Sequence, residues 1–76
     1  MSIYRALVAD DSDPAESGRV RVEIPAVGAE PMWASVVMPV GVDVLQLPQL
    51  GTGVWVSFEA DDPSSPVVLG IIRDPA

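Results

Sequence analysis

Eight prolines and six glycines cut this chain so finely that no stretch is left in which a helical period runs for several turns. What survives between the breakers is alternation. Val54, Val56 and Phe58 fall on one face of Gly53 to Glu59, with Trp55, Ser57 and Glu59 on the other. Val20, Val22 and Ile24 separate in the same way from Arg19, Arg21 and Glu23. Three further segments read as strands: Ile3 to Asp10, Met32 to Pro39 and Pro66 to Arg73. Their two faces are less clearly distinguished. In Met32 to Pro39 both faces are mostly apolar, so both are expected to be covered. Val67, Leu69 and Ile71 oppose Val68, Gly70 and Ile72 in the last strand, where Gly70 marks a bulge or a close backbone approach.

Five short strands with one long connection predict an all-β domain, a small five-stranded antiparallel barrel of the OB-fold type occupying residues 1–76. A chain of 76 residues hides only about 60% of the surface its unfolded form exposes, so its core alone is marginal. Small domains recover the deficit with disulfides, a structural metal or partner contacts. The chain has neither cysteine nor histidine, which removes disulfides and the usual zinc ligands together. Partner contacts are left. An apolar share of 49% in so small a domain points the same way, toward a homo-oligomer.

Eleven acidic residues against four arginines give a net charge of −7, the wrong sign for a phosphate backbone or an anionic membrane surface. No apolar run approaches the roughly 20 residues that span a bilayer, and Met1-Ser2-Ile3-Tyr4-Arg5 lacks the features of a signal peptide. The expectation is a cytoplasmically made protein with neither nucleic acid nor direct membrane anchoring among its contacts. Catalysis is equally poorly served. A histidine base and the Ser-His and Cys-His pairs are impossible, and Asp61-Asp62-Pro63 reads as turn chemistry. The acidic run Asp10 to Gly18 lacks the glycine and closing glutamate of an EF-hand, and reads as a solvated hairpin tip. No catalytic residue, cofactor or metal is therefore assigned.

The residues singled out are those suited to contacts. Trp55 faces outward, as an interface anchor or under a neighbouring loop. Between Gly41 and Gly53, Leu45, Leu47 and Leu50 make a loop too apolar to run freely through water, either a lid on the barrel end or a docking element. Val68 and Ile72 occupy the second face of the last strand. Arg19 and Arg21, two apart on one face, cover the acidic loop, lie along the barrel wall, or form a ring of arginines at a subunit or partner contact. Trp33 or Trp55 also leaves room for a neutral glycan, the ligand-binding alternative for an OB barrel.

The order Arg5-Ala6-Leu7-Val8-Ala9-Asp10, Asp13-Pro14, Gly18-Arg19-Val20-Arg21-Val22 and Pro25 resembles the first half of a known family. Trp33 to Pro39, Leu47-Pro48-Gln49-Leu50-Gly51-Thr52-Gly53 with the strand after it, and Asp61-Asp62-Pro63-Ser64-Ser65-Pro66-Val67-Val68-Leu69-Gly70 continue the likeness. The family is the OB-fold domain of contractile-tail hub and spike proteins, which includes phage baseplate assembly proteins and the valine-glycine-repeat spikes of type VI secretion. The resemblance covers roughly residues 3 to 73. It implies a structural barrel under the tail tube, trimeric, joining a hub or tube protein to the membrane-piercing tip in the virion tail or baseplate. Relatives usually continue into a lysozyme module or a β-helix needle. The chain stops at Ala76, which implies that a separate spike-tip protein supplies the point, and no hydrolase function is carried over. An adaptor barrel in an unrelated complex is the other alternative.

Overall fold

The computed structural model describes residues 2–10, 18–28, 30–42 and 47–73. Five strands are formed: β1 (Tyr4–Asp10), β2 (Arg19–Glu23), β3 (Met32–Val36), β4 (Gly53–Phe58) and β5 (Pro66–Ile71). They close into an OB-fold barrel in the order β1-β2-β3-β5-β4, with β4 returning to β1. Each lies inside the segment that alternation marks out, trimmed by one to three residues at its ends.

Four of the pairings are antiparallel and the fifth, β3 with β5, is parallel. The exception is a matter of parity. Strands in a ring can alternate in direction all the way round only if their number is even, so five strands must leave one neighbouring pair running the same way. Here β1, β3 and β5 run in one direction and β2 and β4 in the other, and the seam falls where the long connection 37–52 delivers β4 to the far side of β1. The β1–β2 and β3–β4 connections and the end of β5 thus share one end of the barrel. The β2–β3 and β4–β5 connections share the other.

Inside the ring, six of the nine core side chains among the described residues are valines: Val8, Val20, Val22, Val54, Val56 and Val68. Ala6, Ala34 and Ile24 complete the set. A five-stranded barrel has a narrow interior, and β-branched side chains fill it while favouring the strand backbone. Phe58 and Tyr4, each too long for the middle, pack partly buried against this core, their rings meeting edge to face with centroids 5.5 Å apart. Leu47 packs on the core as well and Pro48 is buried, so this part of the apolar loop folds back onto the barrel.

Two expectations are corrected. The faces of β3 are not both covered: the strand ends at Val36, and Val37 and Met38 beyond it are about half exposed. The two faces of β5 are not equivalent either. The register slips opposite Trp55 and Val56, so that Val68 pairs with Val56 and Gly70 with Trp55. This irregularity lies beside Gly70, where a bulge was expected, and it turns Val68 into the core while Leu69 and Ile71 stay 46% and 62% exposed.

The β4–β5 reversal is built from a short 3₁₀ turn, Glu59–Asp61, in which Ala60 (φ 52°, ψ 31°) and Asp61 (φ 60°) take the left-handed conformation. That region costs an L-residue with a Cβ about 1–2 kcal/mol. Replacement Ala60→Gly should therefore raise the unfolding free energy by about 0.5–1 kcal/mol, once glycine's larger unfolded-state entropy is deducted. Urea titration of the two proteins measures the difference.

Candidate interaction surfaces

Strand register brings cations onto the outward indoles. Arg5 on β1 stands directly opposite Trp55 on β4, with its guanidinium carbon 4.9 Å from the ring centroid. On the neighbouring wall Arg21 of β2 faces Trp33 of β3, and Arg19 reaches the same ring from the diagonal position. Their guanidinium carbons lie 5.7 and 5.6 Å from its centroid. Three of the chain's four arginines thus sit over its two tryptophans. Such a contact at an exposed site contributes about 0.5–1 kcal/mol and holds a long side chain flat against the wall. Trp55 is half-buried, with Arg5 over its ring. The rings a sugar would stack on already carry guanidinium groups.

The residues chosen from the sequence for the interface separate. Val68 is 2% exposed and belongs to the core, so it is removed from the surface altogether. Ile72 is half-buried, its side chain lying beside Gly53. Leu47 is half-buried against the core and Leu50 is 65% exposed. Leu45 and the acidic residues 11–17 lie outside the described residues. Arg19 and Arg21 flank Trp33, as above.

The surface that sequence reasoning passed over lies at the β5 end of the barrel. Val37, Leu69 and Ile71 line a groove of about 250 Å³ floored by Val36, Pro48 and Val68. A second groove of about 280 Å³, lined by Leu47, Pro48, Gln49, Thr52 and Ile71, lies on the other side of Pro48 and Ile71. No side chain in either is ionisable. Exposed Met38, Val40, Val42 and Leu50 belong to the same end through the β3–β4 connection. At the opposite end the connections carry the exposed acids Glu30, Glu59, Asp61 and Asp62. A third groove, about 370 Å³, runs along the wall between Leu7, Pro25, Gly53 and Ile72 with Arg5 at its border.

Among the described residues no three acidic side chains stand close enough to hold a metal ion. Asp62 is occupied in its own turn. Its Oδ1 accepts from the Ser64 backbone N–H at 3.0 Å and the Ser64 hydroxyl at 2.7 Å, and Oδ2 accepts from the Ser65 hydroxyl at 3.2 Å. These bonds, the Ser64 backbone N–H first, hold the carboxyl below the ordinary aspartate range. Because the folded value is depressed, the contribution of Asp62 is complete above an unfolded value of about 3.9 and is lost as pH falls through the lower folded one. Carboxylate titration by NMR should show Asp62 among the last side chains to protonate, with Ser64→Ala moving it back toward the ordinary value.

The wall stacks give a second expectation. In a cycle of Arg5→Ala, Trp55→Ala and the double variant, the coupling should be about 0.5–1 kcal/mol, read from urea unfolding.

Comparison with known families gives one match: a family model described as the type VI secretion system/phage-baseplate injector OB domain covers residues 4–72, from the first residue of β1 to just past the end of β5. No curated protein matches the chain.

Proposed function

The chain belongs to this family of type VI secretion and phage-baseplate injector OB domains, and from that premise we propose that it is a structural part of a contractile injection machine. In this reading it is a phage baseplate hub/spike component, carried in the virion tail as a trimer. It sits at the end of the tail tube and joins a hub or tube protein to the membrane-piercing tip. The observation that carries the reading is the family match across the whole barrel. The physical character of the surface supports it. The two grooves beside Pro48 hold no ionisable side chain, and exposed aliphatic groups stand around them, as on a surface suited to contacts.

The test is to tag the chain in a producing cell, isolate intact particles, and identify their proteins by mass spectrometry alongside electron microscopy. The tagged chain should purify with the baseplate end of the particle, and its deletion should leave tubes without a finished tip. Complete, contractile particles assembled without it would overturn the proposal. Recovery in a complex that contains no tail proteins would favour the adaptor reading instead. The particle recovered also separates a phage tail from a type VI or extracellular injection system.

A further inference from the structure

We infer that the groove beside the β4–β5 turn binds an ammonium group, and that its occupant is a lysine side chain of a neighbouring protein. The preference for a cation is a property of this chain alone; that the lysine comes from a partner rests on the assembly reading above.

The groove, about 320 Å³, lies between the start of β1 and the turn that follows β4. Tyr4, Val27, Ser57, Phe58, Asp61 and Pro63 line it. What its polar atoms offer selects the ligand. The Ser57 hydroxyl donates its one proton to the Ser2 carbonyl at 3.1 Å, so toward the groove it presents lone pairs. The Asp61 carboxylate is an acceptor too. Its neighbour Asp62 commits both oxygens to Ser64 and Ser65, whereas Asp61 has no hydrogen-bond or ion-pair partner among the described residues. An ammonium group brings three N–H donors and no acceptor, and aromatic rings such as those of Tyr4 and Phe58 attract it through their π faces. Val27, Pro63 and the same rings give apolar cover to the four-carbon stem that carries it. A metal ion is not served here, since no three described acids stand close enough together.

The surrounding charge acts in the same direction. The β2–β3 and β4–β5 connections expose Glu30, Glu59, Asp61 and Asp62, and neither connection contains an arginine. Three of the four arginines lie over the indoles of the wall, and Arg73 follows β5 at the opposite end. A basic partner therefore meets an attractive field before it meets the groove. Lysine is absent from this chain, so a lysine seated there belongs to a different protein and not to a second copy.

Titration of the isotope-labelled whole chain with N-acetyl-lysine methylamide, followed by NMR at low ionic strength, tests the groove. The amide signals of Tyr4, Ser57, Phe58 and Asp61 should move together and saturate at millimolar probe, and added salt should reverse the shifts. The Nε-acetylated probe, which keeps the stem and loses the charge, should leave them in place. Asp61→Asn should weaken binding about 2- to 5-fold, the worth of one exposed ion pair, while Glu23→Gln on the outer face of β2 should not. Isolated particles then identify the occupant. A carbodiimide joins a carboxylate to a lysine amine as an amide and takes up the water released, so mass spectrometry should find Asp61 linked to a lysine of another protein. Signals that stay still, that respond equally to the neutral probe, or that respond unchanged in Asp61→Asn would overturn the site. Particles in which Asp61 couples to no lysine would overturn the choice of occupant. Absence of the chain from particles would overturn the functional proposal instead, and the titration of the groove is read independently of it.

Discussion

The width of a five-stranded ring governs the rest of this molecule. Side chains pointing inward from opposite walls meet across a space that valine and alanine fill, with Ile24 the largest fully buried residue. The chain's longer apolar groups are therefore displaced to the ends or the outer wall. Tyr4 and Phe58 plug the end where the β4–β5 turn lies, and Leu47 packs where the β3–β4 connection folds back. The tryptophans stand outside under arginines. Surplus leucine, isoleucine and methionine remain in water at the β5 end. A barrel this small cannot bury 49% apolar residues within itself, and part of the remainder stays exposed.

The wall and the end thus have different physical roles. Cation–π stacks tie adjacent strands together with the few cations the chain has, setting guanidinium groups over the indole rings. The β5 side offers uncharged apolar grooves, where contact is non-directional and scales with area, and the β2–β3 and β4–β5 connections offer acids. Neither demands the aligned side chains of an active centre. This agrees with a family whose members serve as parts of an injector.

Strand positions were legible because alternation and breakers are local signals. The inward face of β2 was plain in Val20, Val22 and Ile24, each set against a charged neighbour. In β1, Ile3 and Leu7 compete with Tyr4, Ala6 and Val8, and only pairing with β2 and β4 decides that Ala6 and Val8 go inward. Val68 was misplaced for a related reason: both faces of its strand are apolar, and the register shift that assigns them involves β4 as much as β5. The Arg5–Trp55 stack was beyond sequence reasoning. Fifty positions separate its members, and the contact exists only because register sets them opposite each other. Contacts that depend on cross-strand register are set by the whole fold, whereas turns such as Asp62-Pro63-Ser64-Ser65 are set by their own side chains and were read correctly.

The parallel seam has a consequence for how the barrel comes to exist. β5 is the last strand in the chain, yet it closes the ring on both sides, pairing with β3 along the seam and with β4 along the hairpin. Without Pro66–Ile71 the order β4-β1-β2-β3 would be an open sheet with unpaired edges on β3 and β4. Such edges template pairing with other chains, and this one six-residue strand covers both at once.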